Sequence, residues 1–527
     1  MSITLKRMLM FAIILTVLAG CASATPSPTP IQSLIGPASS SLSTTSNFKP
    51  ADCPFTVPDY GSNAKPQCGY LTVPEDRSKS GGPTIQLPVA VYGSTTPTTT
   101  HNAILFLLSN PGPVLNYSWQ LSYALSDMHA DYDFVFMEQR GVGLSKPALD
   151  CPELTDFATS SFEQDPNSQE VLQQSLDIQT TCHNKLVSSG ADLTAYTTAT
   201  SAADYGDLRQ ALGYTQWNVY AIGYGSLIAF EMMRNYPQTI HSVMFEATIP
   251  PQVDIYAEQG SQTVDSLNLL FQRCNDDADC NKAWPDLKKV FYGLVDQLNG
   301  IPITAPATDL NSGKTYQVIV TGDRLISLVL MVLDNSSYQG DLLNHIPRMI
   351  YQVKAGKYEE LANFLVQSIG YNTPASFGMQ SMAYCAEEMG STTQQNITNA
   401  INSIESPLKE YFQRQMQNTL AACAIWKNET ANIKKPDKQP VTSDIPALIL
   451  SGDYSPTTPL AWATLASKTL SRSYLVQFAG AKQVISFFGD WSDCAHQIQK
   501  AFLANPTVKP DTSCSLAKVS TLWITLP

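Results

Sequence analysis

The run Trp217-Asn-Val-Tyr-Ala-Ile-Gly-Tyr-Gly-Ser226, continued by Leu-Ile-Ala-Phe-Glu-Met-Met-Arg234, decides the fold of this chain. Trp217–Ile222 is a short, continuous apolar run of the kind that forms a fully buried strand. Gly223-Tyr-Gly225 breaks it with a tight turn. Apolar residues then recur at Leu227, Ile228, Phe230, Met233 and Tyr236, the spacing of one helix face. A buried strand feeding a helix through a glycine turn is one unit of a parallel sheet.

The same unit recurs on both sides. Apolar or β-rich runs at 68–74, 85–92, 103–108, 132–137, 242–246, 445–451 and 474–478 predict further strands. Helices are expected over 201–212, 459–470 and 493–503, with Ser201 and Asp204 as a capping box for the first. Strands alternating with helices predict an α/β, doubly wound and mostly parallel sheet. Between 255 and 440 helical periodicity dominates, at 263–273, 283–299, 322–333, 340–354, 357–368 and 405–425. That segment is expected to be an inserted helical lid, between a first core part (51–254) and a C-terminal core part (441–527).

The N-terminus reads as a signal. Lys6 and Arg7 precede an apolar stretch from Met8 to Leu18 that ends in Leu18-Ala-Gly-Cys21. Residues 1–21 resemble a bacterial lipoprotein signal with its lipobox, which implies lipidation of Cys21. An ordinary secretory signal with an incidental cysteine is the alternative. Residues 22–50, rich in Ser, Thr and Pro, are expected to be a flexible tether, with ordered structure beginning near Cys53. The chain is thus expected on the outer face of a bacterial cell membrane, held by its lipid. A net charge of −13, spread along the chain, argues against a nucleic-acid partner.

Setting Cys21 aside leaves Cys53, Cys68, Cys151, Cys182, Cys274, Cys280, Cys385, Cys423, Cys494 and Cys514. An even number in an exported chain points to disulfides. Connectivity does not follow from sequence alone, and the simplest assignment pairs sequence neighbours: 53–68, 151–182, 274–280, 385–423 and 494–514. With no C-x-x-C and no His–Cys cluster, neither metal nor cofactor is expected.

Five blocks occur in a telling order: Cys68–Pro74 with Asp76, the loop 109–113, Glu138-Gln-Arg-Gly-Val-Gly-Leu-Ser-Lys-Pro147, the Gly223 turn, and Ser451-Gly-Asp-Tyr-Ser-Pro-Thr-Thr-Pro459. Together they resemble the tripeptidyl and prolyl aminopeptidase-like branch of the α/β-hydrolases, over about residues 50–515. Gln139-Arg-Gly-x-Gly-x-Ser145 is the most specific of them. The resemblance implies a serine on the turn, an aspartate after the 445–451 strand and a histidine after the 474–478 strand. Here those positions hold Gly223, Ser455 and Gln483. Glycine has no nucleophile, a serine hydroxyl cannot hold an imidazolium, and glutamine cannot exchange a proton near neutral pH. The oxyanion loop is altered at Asn110, although the backbone N–H of Tyr224 remains a donor.

Other residues do not fill the gaps. Ser226 lies on the helix and points away from the turn tip, Asp453 is expected to stabilise a turn, and His496 falls within a helix. None of the six histidines (101, 129, 183, 241, 345, 496) lies between 346 and 495. Glu387 and Glu388 have two readings: carboxylates that receive a ligand's amino group, or a solvated acidic helix end. The sequence therefore predicts a degenerate aminopeptidase-like protein that binds a peptide or small molecule, against the alternative of a serine hydrolase working through non-standard residues.

Overall fold

The computed structural model describes residues 47–57, 65–96, 102–108, 112–334, 342–371, 376–487, 489–516 and 523–525. Nine strands form one mixed sheet: β1 (Phe48–Pro50), β2 (Gln67–Pro74), β3 (Thr84–Tyr92), β4 (Ala103–Leu107), β5 (Asp133–Met137), β6 (Trp217–Ile222), β7 (Ile240–Glu246), β10 (Ala447–Gly452) and β11 (Ser473–Phe478). Their order is β1-β2-β3-β5-β4-β6-β7-β10-β11. β1, β2, β3 and β5 pair antiparallel in turn, and every pair from β5 onward is parallel. Strand alternation sends Leu105, Leu107, Val219 and Ala221 into one buried layer and Ile104, Phe106, Tyr220 and Ile222 into the other. Helices cover both faces, so these strands are apolar throughout rather than alternating with polar residues.

β1 corrects the expected start of order. Phe48 is buried and pairs with Leu71, so the structured chain reaches back into the stretch assigned to the tether. Ser201 and Asp204 do not form the expected cap. The helix starts at Thr198, capped by Thr197 and boxed by Thr200, because Thr197 is the last extended residue before the turn. Asp204 is instead committed to a buried ion pair. Arg140 donates to both its oxygens at 2.8 Å, and to the carbonyls of Glu75 (2.7 Å) and Ala195 (2.8 Å). Arg77 reaches the same aspartate from a more exposed side.

The segment between β7 and its sheet neighbour β10 is mostly helical and holds its own apolar core, built around Leu267, Phe291, Val295, Leu325 and Val329. It is not wholly helical. β8 (Ile303–Thr308) and β9 (Thr315–Val320) form an antiparallel hairpin, with Ala305, Ala307, Tyr316, Val318 and Val320 turned inward. Their period-2 alternation is the signal of a strand, and it was outweighed by the helical pattern on either side.

All five neighbour-to-neighbour disulfides are present: Cys53–Cys68, Cys151–Cys182, Cys274–Cys280, Cys385–Cys423 and Cys494–Cys514. A sulfur-rich cluster at Cys151, Glu153 and Cys182 contains one of these bridges, so its sulfurs are already bonded. Among the described residues no helix is long and apolar enough to cross a membrane.

Arg140→Ala leaves Asp204 buried with only Arg77 as counter-charge. Breaking such a pair costs about 3–5 kcal/mol, and the lower end is expected here because Arg77 remains. A lowered urea midpoint with an unchanged slope is the expected result.

Candidate functional site

Gly223 ends β6 at the tip of the turn, with φ +54° and ψ −122°, and the Tyr224–Asn235 helix starts immediately after it. A side chain in this region of φ costs of order 1–3 kcal/mol, and glycine removes that strain. Gly225 is required for another reason: a Cβ there would lie 2.1 Å from the Leu107 carbonyl oxygen of β4. The helix therefore begins pressed against the neighbouring strand.

Hydrogen bonds link the turn to the other two positions. Gly223 N–H donates to the carbonyl of Glu246, the last residue of β7, at 3.2 Å. The carboxylate of Glu246 is fully buried and accepts from Tyr220 Oη (2.6 Å), Ile485 N–H (2.8 Å), Gln499 Nε2 (3.1 Å) and the Ser486 hydroxyl. It anchors the loop that carries Gln483. Gln483 donates from its backbone to the carbonyl of Asp334 (3.3 Å) and from its side chain to Thr457 (3.4 Å). Ser455 donates from its hydroxyl to Asp334 Oδ1 at 2.7 Å, as does Thr457.

Asp334 was not singled out in the sequence. It is the last described residue of the Gly322–Asp334 helix. A carboxylate following the largely apolar run Leu325–Leu333 was the available signal that the residue has partners elsewhere in the fold. Burial raises its pKa above the usual carboxylate range, against the pull of the Ser455 and Thr457 hydrogen bonds.

Asp334 also lines a cavity of about 370 Å³. The walls are the Ile255–Asp276, Gly322–Asp334, Gln394–Asn402 and Leu408–Ile425 helices, with Pro456 and Thr457 at one end. The volume lies within the range of small-molecule pockets.

The remaining candidates are engaged elsewhere. Ser226 is fully buried, donates to the Gly223 carbonyl (2.5 Å) and accepts from Ile249 N–H (2.8 Å). Asp453 is held by Arg273 at 2.7 Å and by Gly480 N–H at 2.9 Å, which joins the inserted segment to the sheet. His496 Nε2 sits 2.6 Å from the Ser486 carbonyl. Asn110 and Cys21 lie outside the described residues.

Glu387 and Glu388 are buried, so they are not a solvated helix end. Glu387 accepts from Thr198 N–H (2.8 Å) and from the Thr198 hydroxyl, which also meets Tyr224 Oη at 2.8 Å. Burial pushes its carboxyl up to about 7. Glu388 pairs with Lys438 at 2.6 Å. Neither lines the cavity.

A family model for TAP-like proteins matches residues 408–514, and one for the alpha/beta hydrolase fold matches 102–273. Serine protease Hip1 of Mycobacterium tuberculosis is 22% identical over 472 residues, covering 84% of this chain and 86% of that protein. Tripeptidyl aminopeptidase of Streptomyces lividans is 28% identical over 200 residues, 36% of each chain. A solved proline iminopeptidase-related protein from Thermus thermophilus aligns with 84% of this chain and 98% of its own, at 15% identity and a TM-score of 0.36.

The chain has an α/β-hydrolase fold with a TAP-like C-terminal region. In this TAP-like chain the block after β5 is structural. Glu138 is fully buried and accepts from Val114 N–H (3.0 Å) and Leu115 N–H (3.3 Å), fixing the strand-to-helix connection that follows β4. Burial, aided by the charge of Asp150, pushes its carboxyl up to about 8. The folded state therefore keeps a proton that the unfolded chain releases near pH 4.3. Stability should fall as pH rises from about 5 through 8. Glu138→Gln keeps an acceptor and has no proton to lose, so thermal melts should show a flatter stability profile across that window than the parent.

Proposed function

We propose that this TAP-like protein is a lipid-anchored, extracytoplasmic binding protein that has lost the Ser–Asp–His chemistry of its fold. One observation carries the reading: the turn tip that would present the nucleophile is Gly223, and the nearest serine, Ser226, has its hydroxyl spent inside the fold. The second and third positions support it. Ser455 donates a hydrogen bond where a carboxylate would accept one, and Gln483 has no titratable group. Loss of a nucleophile or base alone removes about 10⁶-fold of triad rate. What is left is a cavity able to take a small molecule or the end of a peptide. The five disulfides suit an oxidising, extracytoplasmic location.

A second reading, an active serine hydrolase using non-standard residues, is favoured by the names of two relatives, a serine protease and a tripeptidyl aminopeptidase. A fluorophosphonate probe separates the two, since it labels activated serines. No labelling is expected, and labelling abolished by Ser226→Ala would overturn the binding reading.

Gly223→Ser alone is expected to give no p-nitroanilide turnover and to lower stability by about 1–3 kcal/mol through backbone strain. Gly223→Ser with Ser455→Asp and Gln483→His has all three groups and a better prospect of turnover. Measurable turnover by the single variant would contradict the argument. For the anchor, Cys21→Ser should shift the protein from the membrane pellet to the soluble fraction, and an unchanged pellet fraction would remove the lipid from the account.

A further inference from the structure

Asp334 combines two features at one place. Its carboxylate lies at the cavity, and its hydrogen-bond donors are neutral. Ser455 and Thr457 both donate to Oδ1, and no lysine, arginine or histidine lines the cavity among the described residues. The adjoining sequence, Asn335-Ser-Ser-Tyr-Gln-Gly-Asp341, contains no cationic residue either. The nearby arginines are taken: Arg273 by Asp453 and Arg414 by Asp323. A desolvated carboxylate without a counter-charge is an unfavourable arrangement that a cation would relieve.

Tyr256, Leu330, Met331, Tyr411 and Phe412 supply apolar and aromatic wall, with Gln259, Thr263, Ser327, Gln415 and Thr419 as neutral polar groups among them. Aromatic faces attract cations, and Leu and Met accept an apolar body. A calcium ion fits poorly, since its sites gather several carboxylates and Asp334 is the one carboxylate on the cavity wall among the described residues.

We propose that the cavity is a binding site for small organic amines, with the ammonium group on Asp334 and the apolar body between Tyr256, Met331 and Phe412. This deepens the binding reading above and rests on it. A charge-assisted hydrogen bond exceeds a neutral one by enough to give at least tenfold discrimination.

The test is titration calorimetry of the intact protein with 2-phenylethylamine, its neutral counterpart 2-phenylethanol and its anionic counterpart 3-phenylpropanoate. The amine should bind at least tenfold more tightly than the alcohol, and the carboxylate should not bind. Asp334→Asn should erase the preference for the amine. Equal binding of amine and alcohol, no amine binding, or a preference that survives Asp334→Asn would each overturn the proposal. Should Asp334→Asn fail to fold, Met331→Trp fills the cavity from the same helix and keeps the carboxylate. It must abolish amine binding, and persistence would place the amine elsewhere. Phe-Ala amide against its N-acetyl form separates the sources: binding lost on acetylation assigns the site to a peptide's amino end, and binding by neither assigns it to free amines. Fluorophosphonate labelling with the amine preference intact would defeat only the non-catalytic reading. A silent probe without the preference would defeat only this one.

Discussion

Arg140 is fully buried, and its guanidinium must be satisfied on every side by groups from distant parts of the chain. It is met by the end of β2, by the Ala195 carbonyl and by Asp204 on the Thr198–Leu212 helix. A buried charge missing one such partner is strongly disfavoured, so these elements are held in a single arrangement. The Thr198–Leu212 helix in turn packs on the Tyr224–Asn235 helix that begins at the turn. The position of Gly223 in space thus depends on an ion pair that has no part in its chemistry. Arg140, within the Gln139-Arg-Gly block, thus serves the frame of the fold.

Two acidic hubs organise the loops around the turn. Glu246 gathers the loop after β11, and Asp334 gathers the loop after β10. Serine, threonine and glutamine are useful around a carboxylate because they donate without bringing a competing charge. Ser455 and Gln483 are tied into their surroundings in this way, as hydrogen-bonding residues.

The sheet was legible because its strands are buried on both faces and read as unbroken apolar runs, and the turn because two glycines mark it. The neighbour-pair disulfides were legible for a simpler reason, since each closes a local loop. Other features depend on contacts made only in the folded state. Thr197 outcompetes Ser201 as a cap because of where the preceding extended residues end. Glu387 and Glu388 look like surface charge until Thr198 and Lys438 are brought to them across the fold. Asp334 follows a largely apolar run, and only folding places it against Ser455, far along the chain. In the hairpin β8–β9 a weak period-2 signal was hidden among strong helical ones.

The disulfides have one further consequence. Each closes a loop between residues 6 to 38 apart. None crosses between the 255–440 segment and the sheet. That boundary is held by Arg273 on Asp453, Asp334 with Ser455 and Thr457, and Glu387 on Thr198. Oxidation makes each side durable, while the seam between them is held by an ion pair, hydrogen bonds and buried apolar contacts such as Met379 and Trp426 with Leu149 and Tyr196. A local opening of that seam would leave every one of these disulfides, and the part each one staples, intact.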